Sequence, residues 1–177
     1  MENFLTTISK LIRDKNLPAL MIGGHAVTAL GHPRATFDLD LLIPKSSSVI
    51  WKNELAQLSY QPFSESSNFI QLEASHDFPL PPIDLMLIED AVFNTILANK
   101  VDATPLSTPN PQTMIALKLH AINQPSRQNS EQDWGDVIAL IRVHKLSLDD
   151  PEFSAIVLKH GGQTATDRIQ ASLVSRS

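Results

Sequence analysis

GGHAVTALGHPRATFDLD, residues 23–40, is the stretch whose reading decides the fold. It follows a short apolar run, residues 19–22, that fits a buried strand. Gly23 and Gly24 then turn the chain into a helix spanning roughly residues 26–30, which Gly31, His32 and Pro33 stop. Residues 36–43 read as the next strand, with Phe37, Leu39 and Leu41 on one face and Asp38 and Asp40 on the other. Aspartate is a poor strand former, so two of them in one apolar strand need a reason. Carboxylates two residues apart on one strand face lie about 7 Å apart along the chain, close enough to share hard cations such as Mg²⁺. The other reading is an edge strand with both aspartates in water. The glycine pair is also open to two readings: backbone N–H groups facing an anion at a helix start, or a plain tight turn.

Working outward, Phe4, Leu5, Ile8, Leu11 and Ile12 repeat at helical spacing and predict an opening amphipathic helix. After Pro44, Ser46 to Ser48 offer N-caps for a helix to about Leu58. Residues 60–63 and 69–73 look like short strands, and residues 76–82 form a proline-rich connection. The segment PPIDLMLI places Asp84 within an alternating strand, residues 83–88; if that strand lies beside residues 36–43, three carboxylates converge. Such a cluster repels itself without a metal. Taken alone, Asp84 faces solvent at a strand end equally well. Residues 89–99 read as a helix and 100–109 as an irregular or edge-strand link. Beyond Pro111 the pattern becomes helical: Met114, Ile115, Leu117, Leu119 and Ile122 mark one helix, and Trp134, Val137, Ile138 and Ile141 another. Two shorter helices, residues 150–159 and 164–173, follow around Gly161 and Gly162. The expected fold is α+β: a small mixed sheet flanked by helices over residues 1–108, then a helical C-terminal part, residues 109–177, packed on that core.

Composition narrows the function classes. The chain has 177 residues, 42% hydrophobic and 19% charged, an ordinary globular balance. Its net charge of −5, with neither half basic, argues against a chain held to nucleic acid mainly through phosphates. With no cysteine, disulfides, thiolate metal sites and cysteine nucleophiles are excluded. The N-terminal residues carry an early acid and are unlike a signal peptide, and no apolar run approaches membrane-spanning length. The expectation is a soluble, cytoplasmic protein without a membrane partner.

Gly23-Gly24, Arg34, Thr36, the Asp38-x-Asp40 pair and the downstream Asp84 resemble the nucleotidyltransferase superfamily of the DNA polymerase β type. The wording GGHAV…G…R.T.DLDLLIP is most similar to the AbiEii-like toxin nucleotidyltransferases, and PQTMIALKLHA…D..DVIALI, residues 111–141, resembles that group's helical motifs. The resemblance implies a nucleotidyltransferase-like core that moves a nucleoside monophosphate from an NTP to a hydroxyl. The acceptor implied is a tRNA end or a protein, with a toxin–antitoxin setting and a cognate antitoxin as partner. It also implies that Gly23 and Gly24 contact the triphosphate, and that Asp38 and Asp40 bind Mg²⁺, or Mn²⁺ in its place. Asp84 is then the third metal ligand or the base for the incoming hydroxyl. Arg34 and Thr36 join the nucleotide site, and Lys118 and Asp133 match residues the group places near the nucleotide. Read from the residues alone, Lys118 interrupts an apolar helix and either snorkels or meets a phosphate. Asp133 and Asp136 either serve the motif or complement a helix dipole. Arg34 balances phosphate charge or pairs with a carboxylate. His25 follows the glycines at a helix start, the other histidines lack metal-ligand spacing, and Trp134 sits at a core position.

The chain departs from the group at Gly24, where many relatives carry Ser, and at Glu131 and Gln132, where basic residues are expected, although Arg127 is near. Two alternatives accompany the reading: an aminoglycoside-type transferase acting on a small molecule, and a non-catalytic nucleotide-binding module that keeps the fold.

Overall fold

The computed structural model describes residues 4–75, 80–124 and 130–174. His76 and Arg127 lie outside the described residues. The described chain divides into two compact units. One comprises residues up to Ala29 together with Arg34–Pro109; the other comprises Leu30–Pro33 and the residues from Asn110 onward.

The first unit is built on a five-stranded mixed sheet of order β1-β2-β5-β4-β3, with β1 Leu20–Met21, β2 Leu39–Pro44, β3 Tyr60–Glu65, β4 Phe69–Ala74 and β5 Ile83–Ile88. Strands β2 and β5 run parallel; every other pairing is antiparallel. Leu39, Leu41, Leu42 and Ile43 are all buried, so both faces of the interior strand β2 are covered. In β5 the alternation is clean: Ile83, Leu85 and Leu87 are buried and Asp84, Met86 and Ile88 are half-buried. Helices α1 (Phe4–Asp14), α2 (Gly23–Ala29), α3 (Ser48–Ala56) and α4 (Asp90–Ala98) complete the unit. Each contributes a core side chain, among them Ile8, Val27, Trp51 and Phe93. The link after α4 makes one isolated antiparallel bridge, Val101 to Thr108.

The second unit contains α5 (Pro111–Ile122), α6 (Ser130–Val143) and α7 (Pro151–Val174). Asn110 caps α5 by accepting from the Thr113 N–H at 2.8 Å, and Pro111 occupies the first turn, where its missing N–H costs nothing. Trp134, Val137, Leu140 and Ile141 form the buried stripe of α6. Gly162, at φ 71° and ψ −175°, breaks the last helix into the two segments its glycine pair predicts. A Cβ on Gly161 would lie 2.4 Å from that of Ala165 and 3.2 Å from the Leu119 side chain, so the bare backbone lets α5 and α7 approach there.

Three local expectations are corrected. Residues 36–38 are not strand: β2 begins at Leu39, and Phe37 is 72% exposed instead of lying on the core face. Within that segment Arg34 Nη1 donates to the Ala35 carbonyl and the Thr36 hydroxyl donates to Asp38. Helix α2 starts at Gly23, so both glycines are in its first turn. The Ser47 hydroxyl donates to the Pro44 carbonyl at 2.8 Å instead of capping α3.

Candidate active site

The parallel register of β2 and β5 sets Asp40 beside Asp84. Side chains at paired positions in neighbouring strands share a face, so these two carboxylates are neighbours by construction. Asp38, just before β2, joins them: one oxygen of each of Asp38, Asp40 and Asp84 lies within 4.8 Å of the other two. All three residues are half-buried. The next strand adds a fourth polar group in the same row, because Gln71 of β4 pairs with Asp84. Its amide Nε2 donates to both carboxylate oxygens, at 3.4 Å each.

The glycine pair is what lets the acids reach the start of α2. Gly23 adopts φ +63°, and a Cβ there would stand 1.8 Å from Asp40 Oδ2. A Cβ on Gly24 would stand 2.6 Å from both Cβ and Oγ1 of Thr36 and 2.8 Å from Cζ of Arg34. The Thr36 hydroxyl in turn donates to Asp38 Oδ1 at 2.9 Å. Glycine is required at 23 by conformation and by space, and at 24 by space alone. Arg34 Nη1 donates to the Ala35 carbonyl at 3.0 Å, which folds the guanidinium back over its own loop. His25 is half-buried beside these groups; desolvation pushes its pKa down, with Asp38 opposing and Arg34 reinforcing the shift.

Lys118 and Asp133 belong to the helical unit, where they meet each other. Lys118 Nζ lies 3.0 Å from Asp133 Oδ1 and 2.7 Å from Asp136 Oδ2, and all three residues are buried. Trp134 is 8% exposed, with the Arg168 guanidinium 4.5 Å above its ring.

The donor set is hard oxygen throughout. Three converging carboxylates suit Mg²⁺ or Mn²⁺, which favour oxygen ligands and accept a carboxylate-poor shell completed by phosphate and water. The residues present therefore fit a divalent cation. Sequence reasoning missed Gln71. The alternation of FIQLEA places it on the polar face of β4, but nothing in the sequence states which strand β4 adjoins.

No protein-family model and no curated protein sequence matches this chain. Solved structures do. The chain is similar to lincosamide antibiotic adenylyltransferase LnuA in its lincomycin-bound form, with TM-score 0.60 and 13% identity over 81% of this chain and 98% of that one. It is similar to ANT(2'')-Ia in complex with adenylyl-2''-tobramycin, with TM-score 0.62 and 16% identity over 88% and 97%. It is also similar to the Megavirus polyadenylate synthase, with TM-score 0.56 and 14% identity, covering 83% of this chain but only 33% of that enzyme's length. At these identities the likeness is one of fold. The chain has a nucleotidyltransferase-like α+β fold.

Proposed function

We propose that the protein is a nucleotidyltransferase that moves a nucleoside monophosphate from an NTP to a hydroxyl acceptor, using Mg²⁺ or Mn²⁺. The observation that carries this reading is the convergence of Asp38, Asp40 and Asp84 within 4.8 Å beside the Gly23-Gly24 turn. Three carboxylates this close repel one another unless a cation sits among them. The acceptor oxygen attacks the α-phosphorus, the bond to the bridging oxygen breaks, and pyrophosphate leaves. The hydroxyl proton passes to a carboxylate of the cluster or to water. Asp38, Asp40 and Asp84 would hold the cation, which when bound neutralises phosphate charge and orients the in-line displacement. Gly23, Gly24, Arg34 and Thr36 border the cluster and would shape the place where the triphosphate lies. The assignment of Lys118 and Asp133 to nucleotide binding rests on the sequence resemblance.

The motif wording over residues 20–43 favours a tRNA end or a protein side chain as acceptor, in a toxin paired with an antitoxin. A second acceptor class has its own support. The similarity spans 98% of LnuA, a lincosamide antibiotic adenylyltransferase bound to lincomycin, and 97% of ANT(2'')-Ia, which holds adenylyl-2''-tobramycin. The acidic balance of −5 also suits a cationic small molecule. Incubation with α-labelled NTPs and Mg²⁺, against total RNA, lysate protein and a panel of lincosamides and aminoglycosides, separates the two classes. Label on RNA or protein supports the first, label on an antibiotic the second. Mg²⁺-dependent NTP binding with no transfer to any acceptor supports a non-catalytic module instead.

A further inference from the structure

We infer that Gln71 is a positioning residue that selects small divalent cations over Ca²⁺ by closing the chelating side of Asp84. The inference deepens the proposed metal-dependent transfer and rests on that reading. Gln71 Nε2 is 3.4 Å from Asp84 Oδ1 and 3.4 Å from Oδ2. A donor equidistant from the two oxygens lies in the plane that bisects the carboxylate, on its open side, where both oxygens can accept from it. A cation held by both oxygens of one carboxylate sits in that same plane and on the same open side, at about 2.3–2.6 Å from each oxygen for Ca²⁺, too near the amide N–H for both to be accommodated. The amide and a chelated Ca²⁺ therefore compete for one place. Ligation through a single oxygen of Asp84 is not obstructed in this way, and the three-carboxylate cluster is already arranged with one oxygen from each residue within 4.8 Å of the others. Mg²⁺ and Mn²⁺ take carboxylates one oxygen at a time in an octahedral shell, whereas Ca²⁺ gains its higher coordination number by bidentate carboxylates.

The amide is held in place by the backbone. Gln71 pairs directly with Asp84 across β4 and β5, and its strand neighbours Ile70 and Leu72 are buried. Its donor is also neutral, so it orients the carboxylate without cancelling the charge that attracts the metal. Hydrogen bonds of this kind to metal ligands typically change metal affinity by about 10–100-fold when removed.

The test compares the full chain with Gln71→Ala and Gln71→Thr, the latter a strand-compatible side chain too short to reach Asp84. Binding of Mn²⁺ is followed by its paramagnetic resonance signal, then Mg²⁺ and Ca²⁺ are titrated in as competitors, with melting curves to confirm that each variant is folded. In the parent chain Mg²⁺ displaces Mn²⁺ more effectively than Ca²⁺ does. In both variants the Mg²⁺-to-Ca²⁺ preference falls by about tenfold. An unchanged preference in a folded variant overturns the role of Gln71. Asp38→Ala is the separate control for the underlying reading: if it binds Mn²⁺ as well as the parent chain does, the metal site itself is rejected and this inference goes with it.

Discussion

At the scale of single residues, the site is a problem of fitting charged and polar groups against a helix start. Asp38 and Asp40 are expected to be indispensable: alanine at either position lowers label transfer by about 10²-fold or more, the cost of removing one group that stabilises transition-state charge. Equal transfer by the parent chain and both variants would reject their assignment. Thr36 acts on Asp38 through its 2.9 Å hydrogen bond. Thr36→Val keeps the shape and removes the donor, so it should raise the Mn²⁺ concentration needed for half-saturation by about tenfold. If Thr36 only touched nucleotide, that metal titration, run without NTP, would not move. The same contact explains the departure at position 24. A side chain there meets Thr36 and Arg34 at under 3 Å, and Gly24→Ala is expected to cost about 1–3 kcal/mol of stability by overpacking. Thr36→Gly removes the colliding Cβ and hydroxyl together, so Gly24→Ala should cost less in that background than in the parent chain when both are followed by denaturant unfolding.

At the scale of elements, the buried triad of Lys118, Asp133 and Asp136 ties α5 to α6. Removing one partner of a buried ion pair leaves its charge uncompensated, at a cost of about 3–5 kcal/mol. Lys118→Met is therefore expected to lower the unfolding free energy by that amount in a urea titration. A folded Lys118→Met variant of unchanged stability that no longer binds NTP would make Lys118 a phosphate ligand and not an internal counter-ion. Sequence spacing placed Lys118 on an apolar helix and Asp133 and Asp136 a turn apart on the next, but the meeting of the three depends on how α5 packs on α6. That relation has no local signature. The same limit explains what was legible around the site. Alternation gave β5 and the polar direction of Asp84, and glycine with proline marked the ends of α2. Pairing of β2 with β5 was only a conditional, and pairing of β4 with β5, which brings Gln71 to Asp84, was invisible. Residues 36–38 were misread as strand because alternation of Phe37, Asp38, Leu39 and Asp40 mimics a period of two, while the local bond from Thr36 to Asp38 leaves no mark on that alternation.

At the scale of the whole molecule, global stability gives a probe of the sheet unit that is independent of any activity. Tyr60 opens β3, is 1% exposed, and donates its hydroxyl to the Pro81 carbonyl at 2.7 Å. Burial penalises the phenolate, so its pKa is pushed up from 10.0 to about 12. An acid whose folded pKa lies above its unfolded value favours folding while it stays neutral. The stabilisation is complete below pH 10 and is lost as the pH rises towards 12, because the unfolded chain ionises first. The loss over that window approaches about 2–3 kcal/mol. Tyr60→Phe cannot ionise, so it should lose about 1 kcal/mol at neutral pH with the missing hydrogen bond, yet fall less steeply than the parent chain between pH 10 and 12. Urea unfolding across that range measures both slopes. Lysines titrate in the same window in both proteins and cancel in the difference. Parallel slopes would mean that the phenol of Tyr60 ionises as readily in the folded chain as in the unfolded one, and that the β3 edge of the sheet admits water to its first residue.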